Sequence, residues 1–217
     1  MQQDKEAWPM CPEWRILLER YDHLNRVAKK GQILFAGSSL MEQFPVNELM
    51  ESLEIPGCVY NRGIGGYTTD DLLHTMDTCI FDLEPRKLFL NIGTNDIGAG
   101  RLESLRTNYR EILRQIGERL PQTRVYLLAY YPCNPQGLRA SEEERAEAFR
   151  YRTNETIEAC NRWVEKLAHD TGATYLDLNA PLKDAQGSLK LELTVDGIHM
   201  YPDAYVPILK QLAPYLD

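Results

Sequence analysis

Short, unbroken apolar runs alternate along this chain with longer stretches whose apolar residues recur at helical spacing. A run that is apolar at every position, such as Ile33-Leu34-Phe35-Ala36, suits a strand buried on both faces. Comparable runs occur at Val59-Tyr60, Leu88-Phe89-Leu90-Asn91-Ile92, Val125-Tyr126-Leu127-Leu128-Ala129 and Thr174-Tyr175-Leu176-Asp177-Leu178. Between them lie helical patterns. Trp14, Leu17, Leu18, Tyr21 and Leu24 predict an N-terminal helix within about 12–30. Leu72, Leu73, Met76, Cys79 and Ile80 predict a helix from about Thr69, capped by Thr68 or Thr69, with Asp70 and Asp71 where the helix dipole favours anions. Leu102, Leu105, Tyr109, Ile112, Leu113 and Ile116 mark another helix, and Ile157, Cys160, Val164 and Leu167 one more.

Five strands alternating with helices imply an α/β chain: a three-layer α/β/α arrangement around a five-stranded parallel, flavodoxin-like sheet. The sequence has no internal repeat, low-complexity tract or linker, so one domain over residues 1–217 is expected. One stretch breaks the rhythm, an excursion over about 132–154. Its charged run, Ser141-Glu142-Glu143-Glu144-Arg145-Ala146-Glu147, reads as a solvated helix. The loop before it, Cys133 to Leu138, follows a strand's carboxyl end and is expected to overhang a ligand crevice.

Lys plus Arg number 24 and Asp plus Glu 32, a net charge of −8 that argues against a nucleic-acid backbone as the main partner. No apolar run reaches the roughly 18 residues needed to span a bilayer. The opening Met1-Gln2-Gln3-Asp4-Lys5-Glu6 has no apolar core of a leader peptide. The five cysteines include no C-x-x-C pair, so free thiols in a reducing cytoplasm are expected. A monomer or a homodimer fits the acidic surface.

The chemistry-bearing residues fall at predicted carboxyl ends of strands, where an open α/β sheet places its crevice. Ser39 follows the first strand, Gly65-Gly66 the second and Gly93-Thr94-Asn95-Asp96 the third. A late loop carries Asp196-Gly197-Ile198-His199. A serine hydroxyl becomes a nucleophile when a neutral imidazole takes its proton, and the imidazole needs its other nitrogen held. His199 and Asp196 supply that pair. A tetrahedral intermediate then needs donors for its oxyanion, here the N–H groups of Ser39 and Gly66 and the Asn95 amide. Singly, each block has a plainer reading: Ser38-Ser39 as a helix N-cap, Gly65-Gly66 as a tight turn or anion cradle, Asn95-Asp96 and Asp196-Gly197 as turn residues.

The four blocks, taken in order, resemble those of the SGNH (GDSL-type) esterases and acylhydrolases. The resemblance implies Ser39 as nucleophile, Gly66 and Asn95 as oxyanion donors, and His199 as base oriented by Asp196. The family's first block usually reads Gly-Asp-Ser, whereas this chain has Gly37-Ser38-Ser39, with an uncharged hydroxyl in place of the carboxylate. No G-x-S-x-G elbow, G-x-G-x-x-G fingerprint or P-loop is present, and no His, Cys and carboxylate cluster has zinc spacing. No cofactor and no metal are therefore expected. His23, His74 and His169 sit singly on predicted helices and read as solvated.

The expected function is an esterase acting on a small-molecule ester, with a short acyl group such as that of an acetylated carbohydrate. A lysophospholipase or thioesterase is the alternative within the family. A non-catalytic flavodoxin-like module holding a phosphate or nucleotide is the alternative outside it. Tyr67, Tyr131 and Tyr201 flank the blocks and are candidate substrate contacts.

Overall fold

The computed structural model describes residues 8–217, so the polar opening Met1–Glu6 lies outside the described residues. Its sheet is wholly parallel. Strands β1 (Ile33–Gly37), β2 (Val59–Gly63), β3 (Lys87–Asn91), β4 (Arg124–Leu128) and β5 (Thr174–Leu176) lie in the order β2-β1-β3-β4-β5. Ile33 is in register with Val59 on one side and Lys87 on the other. The chain thus runs outward from β1 to β2, then returns to β3 on β1's other edge. That reversal makes β1/β3 the switch point, where the loops at the carboxyl ends part and leave a crevice.

Every residue of β1 and β3 is buried, as unbroken apolar runs require when both faces are covered. Alternation along each strand splits the core in two. Leu34, Ala36, Leu88 and Leu90 face one cluster, shared with α4 (Thr69–Cys79), α6 (Leu102–Arg119) and α8 (Asn154–Thr171). Ile33, Phe35 and Phe89 face the other, closed by α2 (Ser39–Glu42), α3 (Val46–Ser52) and α9 (Tyr205–Leu212). The remaining helices are α1 (Pro12–Asn25), α5 (Thr94–Gly98) and α7 (Glu142–Ala148). Among the described residues, no helix is long and apolar enough to cross a membrane.

Several boundaries differ from expectation. Helix α1 ends at Asn25, whose amide donates to the Thr78 carbonyl at 2.8 Å while its Oδ1 accepts from the buried Arg62 guanidinium. Leu24 then points outward, 50% exposed. Strand β5 stops at Leu176, because Asp177 turns the chain by accepting the Asn179 N–H at 3.0 Å. Thr68 is the cap of α4, in a reciprocal box with Asp71. The excursion contains α7, itself boxed by Ser141 and Glu144 and without a buried residue.

Candidate active site

Strand β1 ends at Gly37 and the chain turns at once into α2, which begins with Ser39. Ser38 is the N-cap, fully buried, and its N–H donates to the Asn91 carbonyl of β3 at 3.3 Å. Its hydroxyl has no protein partner. The turn leaves Ser39 as the first helical residue, where the backbone N–H has no intrahelical acceptor. The Ser39 Oγ lies 2.9 Å from His199 Nε2.

His199 comes from a tight loop between β5 and α9. Thr194 Oγ1 accepts the Gly197 N–H and donates to the His199 carbonyl, each at 2.8 Å, while the Val195 N–H reaches the same carbonyl. This folds Asp196 back under the ring. Asp196 Oδ2 lies 2.6 Å from His199 Nδ1, and Oδ1 accepts the N–H groups of Ile198 and His199 at 3.0 and 2.8 Å. Burial alone raises the Asp196 pKa. The bonds from the His199 ring and from these two N–H groups outweigh it and bring the carboxyl down to about 2. An ionised carboxylate only accepts, which assigns the proton to Nδ1 and leaves Nε2 to accept from Ser39.

The loop after β2 carries Gly66 at φ +80°, a region open to glycine at no steric cost. The indole Nε1 of Trp14, on α1, donates to the Gly65 carbonyl at 2.9 Å. In a trans peptide the C=O and the next N–H point in opposite directions, so this bond turns the Gly66 N–H away from α1. The loop after β3 starts α5 and carries Asn95, whose Nδ2 donates to the Tyr67 carbonyl at 2.9 Å. Asp96, fully buried, accepts from Thr69 N and Oγ1 at 3.0 and 2.8 Å and so ties the β2 and β3 loops together. Its burial raises its pKa against the pull of those bonds.

All five residues expected to do chemistry thus come from the carboxyl ends of the sheet. The three tyrosines divide. Tyr67 is a correction: only 1% exposed, its ring meets Trp14 edge-on at 4.9 Å and packs in the core instead of facing a ligand. Tyr131 is also buried, but it helps to wall a small cavity with Leu40, Thr94, Cys133, Arg152 and Ile198. Tyr201 is exposed. The Cys133–Leu138 loop packs on the loop of Asp196: the Asn134 N–H donates to the Gly197 carbonyl at 2.9 Å. His74, read from the sequence as solvated, is exposed but stacks on Trp8 with ring centroids 3.6 Å apart. The sequence places Trp14 on a helix face and Asp96 in the third block without a role for either, and it gives no sign of Arg152. The only sequence signal for Trp14 was its place on the inward face of α1, where a buried indole N–H needs an acceptor.

Residues 47–206 match the GDSL-like lipase/acylhydrolase family. The chain belongs to that family. As a GDSL-type protein it is an ester hydrolase, with the three-layer parallel fold expected of one. The matched stretch begins after Ser39, so the serine stands on geometry. A structure from Streptococcus pneumonia, described as a candidate platelet activating factor, superposes with a TM-score of 0.81 and 32% identity, covering 94% of this chain and 92% of that one. The platelet-activating factor acetylhydrolase IB subunit alpha1 of Bos taurus is 25% identical over 185 residues, 85% of this chain and 74% of its own length. An acetylxylan esterase from Geobacillus stearothermophilus shares the fold at TM-score 0.64 and 15% identity, covering 87% and 95% of the two chains.

Proposed function

We propose that this GDSL-type hydrolase is a serine esterase that removes a short acyl group, acetyl above all, through an acyl-enzyme on Ser39. The observation that carries the reading is the unbroken line from Ser39 Oγ through the His199 ring to the Asp196 carboxylate, 2.9 and 2.6 Å long. Ser39 Oγ attacks the ester carbonyl carbon as its proton passes to His199 Nε2. The carbonyl oxygen, now an oxyanion, is held by the N–H groups of Ser39 and Gly66 and the second Nδ2 hydrogen of Asn95. Collapse breaks the bond to the alcohol, which leaves with the proton from Nε2. A water then gives its proton to Nε2 and attacks the acyl-enzyme carbonyl carbon; collapse breaks the bond to Ser39 Oγ, which takes that proton back from Nε2 as the acid leaves.

A small cavity next to the site, though lined by none of the catalytic side chains themselves, supports a short acyl group. Its walls include the chain neighbours of three site residues: Leu40 beside Ser39, Thr94 beside Asn95 and Ile198 beside His199. Its free volume is about 10 Å³, room for little more than a single water-sized group. Two relatives whose names specify acetyl, one an acetylhydrolase and one a xylan esterase, differ in the alcohol. Their agreement supports the acyl half of the substrate and leaves the alcohol open, an acetylated carbohydrate included. We place the protein in a reducing compartment as one domain, since Cys11 and Cys58 are exposed thiols and Cys79, Cys133 and Cys160 buried ones.

Aryl esters of increasing chain length test the reading. Hydrolysis should be fastest for acetate, fall by at least about tenfold at butyrate and vanish by octanoate, since each added methylene has no cavity to enter. Equal or rising kcat/KM toward octanoate contradicts it.

A further inference from the structure

Asn95 can stabilise an oxyanion in only one of its two amide orientations. With Nδ2 toward the substrate it donates; rotated by half a turn about its last bond, it presents the lone pairs of Oδ1 to a developing negative charge. Asn side chains leave this choice to their neighbours. Here the Tyr67 carbonyl accepts from Nδ2 on the nitrogen side at 2.9 Å, and the neighbour on the oxygen side is Arg152, from the stretch between α7 and α8. Its Nη2 donates to Asn95 Oδ1 at 3.3 Å and to the Thr94 carbonyl at 2.9 Å. A guanidinium has no acceptor and keeps its proton, so it can face the amide oxygen and never the amide nitrogen.

The placement of Arg152 is costly as structure alone. Its bonds go to neutral oxygens, and its Nε is buried without a protein partner. A half-buried cation so placed is a net penalty unless something else repays it. Desolvation lowers its pKa, while the charge of the Asp196 carboxylate acts in the other direction. The surroundings are shaped to receive it. A Cβ on Gly98 of α5 would lie 2.5 Å from Nη2, so a larger residue there would push the guanidinium aside. The Cys133 thiol donates to the Arg152 carbonyl at 3.2 Å and fixes the backbone behind it.

We propose that Arg152 is a positioning residue that locks Asn95 in the donating orientation and so completes the oxyanion site, an inference that rests on the esterase reading above. The excursion between β4 and α8 thereby acts on the reaction through one side chain.

The test pairs kinetics with an orientation readout that needs no turnover. Arg152→Met should lower kcat for an aryl acetate by about 10–100-fold with KM within about threefold, less than full removal of an oxyanion donor. Arg152→Lys, which can still donate to both oxygens, should recover at least half of the loss on a logarithmic scale. In an Asn95→Ala background, Arg152→Met should cost less than about twofold, because the group it acts through is gone. Gly98→Ala keeps both Arg152 and Asn95 in the sequence but pushes the guanidinium tip away from its place, and should cost several-fold; it serves if Arg152→Met does not fold. Independently, the two side-chain N–H signals of Asn95 in a ¹⁵N spectrum, assigned by their loss in Asn95→Ala, should shift in Arg152→Met and move back in Arg152→Lys. A multiplicative loss in the double variant, or unmoved Asn95 signals in folded Arg152→Met, overturns the inference. An inactive wild type with Asn95 signals that move on Arg152→Met would instead sink the esterase reading and leave the positioning role standing.

Discussion

Lys87 opens β3 at the amino end of the sheet, buried, with every use made of its charge. Its Nζ donates to the carbonyls of Tyr215 and Asp217 and to the Asp217 carboxylate, at 2.9, 2.7 and 2.9 Å. Arg119, half exposed, pairs with Asp77 at 2.6 Å and lies over the Phe81 ring at 3.5 Å. At the carboxyl end of the same strand, Asn91 Oδ1 and Thr94 Oγ1 are buried with no protein partner. So are the hydroxyls of Ser38 and Tyr131, at the ends of β1 and β4, and the Arg152 Nε. Both ends bury polar groups, but only one end satisfies them. The polar groups that the protein itself does not pair include several at the carboxyl ends of β1 and β3, beside Ser39 and Asn95. Size alone would choose the wrong end: the cleft by Arg86, Arg119 and Pro121 holds about 540 Å³, against about 10 Å³ for the cavity by Leu40 and Ile198.

Variants at the two ends should therefore fail in different ways. Ser39→Ala has the largest expected effect, turnover of an aryl acetate falling to the buffer rate with the unfolding midpoint unchanged. Asn95→Ala should lower kcat by about 10²–10³ with little change in KM, the cost of one oxyanion donor. Trp14→Phe keeps the ring against Tyr67 but removes the indole N–H that turns the Gly65-Gly66 peptide, and kcat should fall by about 3–10-fold, the worth of one hydrogen bond. At the amino end, Lys87→Met should leave kcat within about twofold yet cost about 1–3 kcal/mol in urea unfolding. A rate loss there, or pure destabilisation from Trp14→Phe, would break the contrast.

The smallest effect is a pH dependence. Because the folded state holds the Asp196 carboxyl at about 2, below its ordinary 3.8, the folded protein favours the ionised form. That contribution is complete above about pH 5 and is lost as pH falls toward 2. The gap in urea midpoint between wild type and Asp196→Asn should accordingly narrow between about pH 4 and pH 2, and a gap that is constant with pH contradicts the assignment.

The same division explains what could be read before the structure. The strands of the sheet were legible because unbroken apolar runs have one plain use, and four short blocks at their ends named Ser39, Gly66, Asn95, Asp196 and His199. Helix α3 was not, since Val46–Ser52 is under two turns and follows a proline, too short for a periodic signal. Trp14 and Arg152 were not, because each acts through a single hydrogen bond to a group far away in sequence, and neither belongs to a block. Tyr67 misled: its position beside Gly66 suggested a ligand contact, but the turn from Ile64 sends its ring inward under Trp14.

The most direct measurement of the central claim is intact mass and peptide mapping after treatment with a fluorophosphonate, on wild type and on His199→Ala. Attack by an activated Ser39 Oγ on phosphorus expels fluoride and leaves one covalent adduct. Wild type should carry a single adduct on the Ser39 peptide, and His199→Ala should lose it. Folded wild-type protein that takes no adduct, or an adduct that forms as fast without His199, would contradict it.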